Sequence, residues 1–423
     1  MPRYRVWVVL AAGLAVRLVI APLGAHPGDF ATLTGWADAI QVHGWLNVYA
    51  VTDANYPPLA LLLLGASRWV ASLIEPGPAA GAVWMILLKL PAILADLAIG
   101  WALTPEPASS GWRGWLPVLG VVFNPALVYL SAWWGQLESI YVLFALLSVD
   151  AARTNRPVWA GVWLALGAMV KLQALVAAPI VILVIATAGY SVPVASRLWR
   201  FVLGGALPLI LLIGPFAATG QGELIALRLV ALVGAPGWLT VNALNLWYLV
   251  TGGAGNWRFN SPLTMPDTNP ILFGLSARLI GLVLVTAWTI IALAGLWRRP
   301  LDRSLARTEI FTAMAMLYLG VFFFPTQSHE RYAFGAVVML AGALRMSQAG
   351  ARRQLSLLAL YGLITLLHFG NLVWAAPFWS ALDGWFAGSQ PVGVFIAGGL
   401  AITGLCCVGL AYRWRFAAAD LRA

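Results

Sequence analysis

Apolar stretches of about 17–25 residues recur along the whole chain, and each is long enough to cross a bilayer as an α-helix. Strands of a membrane barrel would instead show alternating segments of about ten residues. Hydrophobic residues make up 61% of the sequence and charged residues 9%, whereas roughly a quarter of the residues in a soluble domain are charged. The sequence therefore predicts an all-α, polytopic transmembrane protein, with residues 1–423 as a single integral membrane domain in the lipid bilayer.

The charge pattern argues against several other classes of protein. The formal net charge is +10, but the arginines lie in short clusters and form no basic face with interleaved aromatic residues, so we expect no nucleic-acid partner. The first apolar stretch contains Arg17 and is longer than the core of a signal peptide, which predicts an uncleaved helix. The only cysteines, Cys406 and Cys407, give no disulfide framework and no metal-ligand spacing. We expect no cofactor, although the sequence leaves a divalent metal requirement open.

The arginine clusters also predict the topology, because positively charged loops stay in the cytoplasm. All clusters fall on that side only if residues 57–74, which contain Arg68, form a juxtamembrane or re-entrant helix that does not cross. Both termini are then cytoplasmic, as are Arg3/Arg5, Arg113, Arg153/Arg156, Arg197/Arg200, Arg298/Arg299/Arg303/Arg307, Arg345/Arg352/Arg353 and Arg413/Arg415/Arg422. The scheme gives about 12 spans, at residues 5–23, 82–103, 115–132, 138–152, 157–172, 174–190, 200–218, 271–296, 308–325, 332–346, 355–373 and 390–411.

Two longer segments are predicted on the opposite, outer side. Residues 24–81 form a first outer loop with juxtamembrane helices, and the part from Gly24 to Pro58 contains Asp29, Asp38 and Asp53 but no Lys or Arg. A connection of this length is uncommon unless it is functional, with a solvated loop as the simpler alternative. Residues 219–270, the second outer segment, are typical of an interfacial helix plus a loop, which either covers a site or only connects two spans.

Lys89 and Lys171 are the only lysines in the chain, and both are predicted at outer helix ends. A cation at the membrane edge is costly, so it indicates an anionic partner, here a lipid phosphate. Snorkelling to the interface is the alternative. Asp96, two turns after Lys89, is expected to pair with a polar group inside the bundle.

Two further polar turns are predicted on the same outer side. Trp134-Gly135-Gln136-Leu137-Glu138 follows the helix break at Asn124-Pro125, and Glu138 belongs either to a site or only to the favourable start of its helix. Gln327 to Tyr332 contains His329-Glu330-Arg331 after an apolar run, which favours a site over an ordinary solvated turn.

In order, these motifs are an acidic first outer loop, YPP before an apolar helix, a lysine in the next helix, NP followed by WGQ-x-E, then K-x-Q and a late HERY. They resemble the GT-C glycosyltransferases that use polyprenyl-phosphate sugars. The greatest similarity is to the second mannosyltransferase of glycosylphosphatidylinositol-anchor assembly and its bacterial relatives, and a weaker one is to the glucosyltransferases of asparagine-linked glycan assembly. The likeness covers residues 26–332, and Glu138 stands where many relatives have Asp.

The resemblance implies a GT-C-like architecture and an inverting hexosyltransferase, with mannose as the expected sugar. The donor would be a polyprenyl-phosphate sugar and the acceptor a lipid, glycan or protein on the non-cytoplasmic face of the cell membrane. Asp29 matches the position of the family's catalytic base, with Glu330 as its rival. The candidates for binding the donor phosphate are Lys89, Lys171, Gln136, His329 and Arg331. The candidates for other substrate contacts are Tyr56, Trp134, Glu138, Gln173, Gln327, Glu330 and Tyr332.

Two other functional classes stay open at this point. A transporter or flippase of an anionic lipid or glycolipid would use the same outer cations, but it would need an inner counterpart, and the short inner loops have only arginine as a basic residue. A structural membrane protein would leave the loop aspartate and the HERY turn without a role.

Overall fold

The computed structural model describes residues 4–77, 81–104, 112–187, 192–234, 237–259, 265–297, 306–346 and 351–420. The chain forms two compact units, Met1–Ala235 and Pro236–Ala423. Both are built almost entirely from helices, so the predicted helical class is confirmed. The topology predictions for Arg3, Arg298, Arg299, Arg303 and Arg422 lie outside the described residues, and the single membrane domain stays a prediction.

Within the described ranges, seven helical segments are long and apolar enough to cross a membrane. They are Arg5–Leu23, Gly81–Ala102, Leu116–Trp134, Val194–Ala218, Ala277–Leu296, Gln354–Ala375 and Gln390–Leu410. The chain is therefore a membrane protein by the length and composition of its helices. The other five predicted spans coincide with shorter or less apolar helices, so the count of about 12 spans stays a prediction.

The α-helices of the first unit are α1 (Tyr4–Ile20), α2 (Pro27–His43), α3 (Val48–Val51), α4 (Pro58–Ile74), α5 (Gly81–Ala102), α6 (Leu116–Val122), α7 (Pro125–Val128), α8 (Glu138–Arg153), α9 (Pro157–Ala168), α10 (Ala178–Thr187), α11 (Val194–Ala218) and α12 (Gly222–Gly234). A π-helical turn, Tyr129–Trp134, follows α7, and Leu172–Ala177 is a 3₁₀ helix. The predicted break at Asn124-Pro125 is confirmed, because Asn124 caps α7 and Pro125 is its first residue.

The acidic outer segment is more helical than its Pro-Gly pair suggested. A Pro-Gly pair such as Pro27-Gly28 is typical of a turn, but Pro27 is the first residue of α2, a 17-residue helix. Proline suits that position because its missing N–H would have no helical partner there. Arg68 on α4 donates to Asp38 on α2 at 2.6 Å, and this contact holds the two helices of the segment together.

A buried ion pair lies among the first helices of this unit. Arg17 Nε of α1 is 3.0 Å from Asp96 Oδ2 of α5, and both side chains are fully buried. The hydroxyls of Ser131 and Ser139 each donate to Asp96 at 2.6 Å. The prediction that Asp96 pairs inside the bundle is thus confirmed.

Helices α9 and α11 pack closely at two glycines. A Cβ atom added to Gly161 would lie 2.0 Å from the carbonyl oxygen of Phe201, and one added to Gly204 would lie 2.0 Å from that of Val158. Small residues at such positions let two helix backbones touch, as is common between membrane helices.

The second unit contains α13 (Leu246–Val250), β1 (Pro270–Leu272), β2 (Leu275–Ser276), α14 (Ala277–Trp297), α15 (Ala306–Phe323), α16 (Phe334–Met346), α17 (Ala351–Ala375) and α18 (Gln390–Asp420). Its two strands form one antiparallel hairpin directly before α14. A 3₁₀ turn, Glu330–Ala333, leads into α16, and α16 packs against α15 with Gly335 next to the ring of Tyr318.

Candidate functional site

Asp29 lies in the first turn of α2, where the helix N-terminus favours a carboxylate. Its Oδ2 accepts hydrogen bonds from Trp134 Nε1 at 2.7 Å and from Gln136 Nε2 at 2.6 Å. The side chain nevertheless keeps 29% of its surface exposed. Two neutral donors therefore fix the orientation of a carboxylate that remains accessible.

His26 supports this arrangement, although it was not among the predicted site residues. It is the N-cap of α2, and its Nδ1 accepts a hydrogen bond from the backbone N–H of Asp29 at 3.2 Å. Its ring stacks on Trp134, with 4.7 Å between ring centroids and 5° between planes. Because Nδ1 is the acceptor, neutral His26 has its proton on Nε2. A histidine directly before the first proline of a helix was the only available signal.

The turn between the π-helix and α8 directs Trp134 and Gln136 towards Asp29. Gly135 has a φ of 89°, in the left-handed region that favours glycine. The N–H groups of Gly135 and Gln136 both donate to the carbonyl of Leu130 at 3.0 Å. π-Helical turns of this kind are frequent at functional sites.

The amide of Gln136 is held in one orientation by two donors. Lys171 Nζ and the hydroxyl of Tyr56 donate to Gln136 Oε1 at 3.0 and 3.2 Å. Since both groups need the amide oxygen, the amide nitrogen is the atom that faces Asp29. The hydroxyl of Tyr49 in turn donates to the carbonyl of Tyr56 at 2.6 Å, and burial raises the pKa of Tyr49 well above its usual range.

Lys171 and Glu138 form a buried ion pair behind Gln136. Their Nζ and Oε1 atoms are 2.6 Å apart, and the Glu138 side chain is only 1% exposed. The Lys171 ammonium also lies 4.8 Å from the centre of the Tyr56 ring. Glu138 is also the first residue of α8. It therefore occupies the favourable helix start and contacts the predicted site residues at the same time. The predicted contact of Lys171 with a donor phosphate stays a prediction.

The other predicted lysine has a different environment. Lys89 is fully buried in α5, and its ammonium donates to the carbonyls of Ala21 and Gly24 at 2.6 and 2.5 Å. Lys89 thus stabilises the chain where α1 and the turn after it end. Its predicted role at a phosphate would require these contacts to break, and it stays a prediction.

The remaining acidic residues of the outer segment have their own contacts. Asp38 pairs with Arg68, and Asp53 Oδ1 accepts from Trp36 Nε1 at 2.9 Å. Gln173 is half-buried in the 3₁₀ helix that follows Lys171. The first unit therefore brings six predicted site residues into one connected group, which we call the Asp29 cluster: Asp29, Tyr56, Trp134, Gln136, Glu138 and Lys171.

In the second unit, the HERY turn forms a compact group. Arg331 Nη1 donates to Glu330 Oε1 at 2.7 Å, and His329 Nδ1 lies 3.9 Å from Glu330 Oε2. The His329 and Tyr332 ring centroids are 5.4 Å apart. Glu330 and Arg331 are buried, so the alternative of an ordinary solvated turn is wrong.

Gln327 contacts a buried carboxylate that sequence reasoning missed. Asp267 accepts hydrogen bonds from Gln327 Nε2 at 2.8 Å, from the Thr326 hydroxyl at 2.7 Å and from Arg278 at 2.9 and 3.0 Å. Burial opposes its ionisation, but these donors and the N–H of Gly237 outweigh that effect and lower the pKa of Asp267. The scarcity of acidic residues between 219 and 270 was the signal that could have found it.

In the part of the chain that the structure describes, no group of three or more His, Cys, Asp or Glu side chains could hold a metal ion. No protein-family model matches the chain, and no curated protein matches its sequence.

Proposed function

We propose that this protein is an inverting glycosyltransferase, specifically a mannosyltransferase, of GT-C-like architecture with about 12 spans. It would move the sugar from a polyprenyl-phosphate donor to a lipid, glycan or protein acceptor on the non-cytoplasmic face of the cell membrane. The main support is the environment of Asp29, an accessible carboxylate whose orientation is fixed by Trp134 and Gln136.

Asp29 differs from Glu138, Asp96 and Asp38 in combining partial exposure with two neutral side-chain donors. A general base must come within hydrogen-bond reach of the proton that it removes. Glu138 and Asp96 are almost completely buried and lie in ion pairs, and Asp38 is paired with Arg68. Asp29 is partly exposed and accepts hydrogen bonds from neutral donors, so an incoming hydroxyl can reach its carboxylate.

The reaction follows from this geometry. The acceptor hydroxyl oxygen would attack the anomeric carbon while its proton passes to Asp29. The bond between the anomeric carbon and the phosphate oxygen would break, and the polyprenyl phosphate would leave with the bonding electron pair. Attack from the side opposite the phosphate inverts the anomeric centre. Loss of a general base typically reduces the rate by about 10²–10⁴-fold.

An apolar groove next to the Asp29 cluster supports a lipid-linked donor. Helices α4, α5 and α8 line a cavity of about 540 Å³ with side chains such as Leu63, Leu90, Ile140 and Phe144. Ile140 comes two residues after Glu138 on α8, so the groove and the cluster share a helix. An isoprenoid chain is apolar and suits such a surface, whereas a nucleotide-linked sugar has no comparable chain.

The test uses the full chain in liposomes with radiolabelled polyprenyl-phosphate mannose and a membrane lipid extract as the acceptor source. We expect labelled product and free polyprenyl phosphate from the natural chain, and a loss of about 10²–10⁴-fold in Asp29→Asn. Asp53→Asn is the matched control, because Asp53 is an exposed carboxylate of the same outer segment. Donor binding should survive in both variants.

The same experiment separates the alternatives. Movement of the labelled donor across the bilayer without cleavage would support a transporter or flippase of anionic glycolipid. Near-normal turnover in Asp29→Asn together with loss in Glu330→Gln would move the base to the HERY turn. If the labelled donor is neither cleaved nor moved across the bilayer, both proposed functions are contradicted.

A further inference from the structure

The hairpin before α14 is built around an unusual turn. Strands β1 and β2 pair antiparallel, with Leu272 opposite Leu275, and Phe273-Gly274 form the two-residue loop. Both loop residues have positive φ values, 49° for Phe273 and 76° for Gly274. A tight hairpin of this kind prefers Asn-Gly or Asp-Gly, and a bulky aromatic residue with positive φ is uncommon. An unfavourable backbone conformation therefore presents an aromatic side chain at the tip.

The tip is apolar and open. Phe273 is 93% exposed, and Ile271, Leu272 and Leu275 are also exposed. No residue from Thr268 to Ala277 is charged. Soluble proteins protect exposed strand edges with charges, because an apolar edge in water promotes aggregation. This hairpin has no such protection.

The base of the hairpin is held firmly. Asp267 and Arg278 flank it, and their side chains are joined by hydrogen bonds of 2.9 and 3.0 Å. The N–H of Arg278 also donates to the carbonyl of Asp267 at 3.0 Å. The direction of the tip is therefore set by a clamp between the residues on either side of it.

The chain continues from this hairpin into a membrane span without a linker. Strand β2 ends at Ser276, and the candidate span Ala277–Leu296 begins at the next residue with a mean hydropathy of 2.4. Only 17% of the residues in that span are buried within the described part of the protein, as suits a helix that packs against lipid. Three residues of strand reach roughly 10 Å, and the polar layer on each side of the hydrocarbon core is about 5–8 Å thick. The tip is thus long enough to pass through that layer.

We propose that the hairpin tip, Ile271 to Leu275, inserts into the boundary between the headgroups and the acyl chains of the bilayer, on the side where α14 begins. Aromatic and aliphatic side chains are favourable at that depth. Immersion also removes the aggregation hazard of the uncharged strand edge. The hairpin would fix the depth at which α14, and the turn of Asp267 and Gln327, meet the membrane surface.

The test measures immersion directly. A cysteine-free chain, Cys406→Ala with Cys407→Ala, receives a spin label at Phe273→Cys or at Asn269→Cys, an exposed position at the hairpin base. Each labelled chain is reconstituted into nanodiscs of phosphatidylcholine and phosphatidylglycerol, with one chain in each disc. We expect the ratio of collisions with oxygen to collisions with a water-soluble nickel chelate to be several-fold higher at position 273 than at position 269.

A second variant separates immersion from a folding defect. Phe273→Asn gives the favoured Asn-Gly turn, so the hairpin should still form. A spin label at Leu272→Cys reports the effect: in the Phe273→Asn chain it should lose most of the preference for oxygen that it has in the chain with Phe273. Equal nickel accessibility at positions 273 and 269 would overturn the proposal. So would protection of position 273 that arises only in discs with two chains and is accompanied by dipolar broadening, because the tip would then contact a second copy.

Discussion

Replacing Lys171 by Met removes the ammonium group from the centre of the Asp29 cluster and keeps most of the apolar side chain. Glu138, which is 1% exposed, then loses its ion-pair partner at 2.6 Å. Gln136 Oε1 loses one of its two donors. Breaking a buried ion pair by removing one partner typically costs about 3–5 kcal/mol, because the other charge stays buried.

This cost can be measured as a change in thermal stability. A loss of 1 kcal/mol lowers the Tm by about 2–4 °C for a unit of 150–250 residues, so Lys171→Met should lower the apparent Tm by roughly 6–20 °C. The double variant Lys171→Met/Glu138→Leu removes both charges, and it should recover most of this loss. Static light scattering in detergent at a fixed heating rate would record all three unfolding transitions.

Glu138→Gln provides the functional comparison. It removes one charge but leaves Lys171 able to donate to Gln136, so the amide nitrogen still faces Asp29. Turnover should therefore fall further in Lys171→Met than in Glu138→Gln. The reasoning fails if Lys171→Met unfolds at the temperature of the natural chain. It also fails if the double variant loses as much stability as Lys171→Met and Glu138→Leu, each measured singly, lose together, because the pair would then have no coupling energy.

Two predictions concern other parts of the chain. Gly161→Ala places a Cβ atom 2.0 Å from the Phe201 carbonyl oxygen and should lower the free energy of unfolding by about 1–3 kcal/mol. The control Gly35→Ala, in open space on α2, should raise it by up to about 1 kcal/mol. Equal Tm values for the two variants would contradict the close packing of α9 and α11. Since the pKa of Asp267 is lowered in the folded chain, its contribution to stability is present above about pH 4 and lost as the pH falls further. Asp267→Asn should therefore flatten the fall of Tm between neutral and acidic pH, and an unchanged slope would refute this.

Much of the fold was predictable, because the length of an apolar stretch and the residues that start or break a helix can be read from the local sequence. The Asn124-Pro125 break and the pairing of Asp96 needed only the rule that proline starts a helix and that a buried carboxylate needs a partner. The start of α2 was missed because Pro-Gly suits both a turn and the first turn of a helix. A local pattern does not decide between these two structures when the packing against α4 favours one of them.

The Asp29 cluster was predictable in its members but not in its pairing. Trp134, Gln136 and Glu138 are close in sequence, so one turn places them together. The sequence indicated that Lys89 and Lys171 need partners, but it did not show that these are two carbonyls and Glu138. His26 and Asp267 were missed because no periodicity marks a cap or a loop carboxylate, and their partners are set by tertiary contacts.

The pair of Arg17 and Asp96 has a consequence for how the protein is made. Arg17 leaves the ribosome 79 residues before its counter-ion, so α1 is complete long before α5 can neutralise it. An unpaired arginine in a membrane helix costs up to about 2.5–3.5 kcal/mol during insertion, the value at the helix centre, and Arg17 lies in the last turn of α1. The serines that complete the site lie still later, at positions 131 and 139. The groups that neutralise and hold Arg17 are therefore synthesised only after α1, so full stabilisation of α1 in the membrane has to wait for α5 and for the segments that contain Ser131 and Ser139.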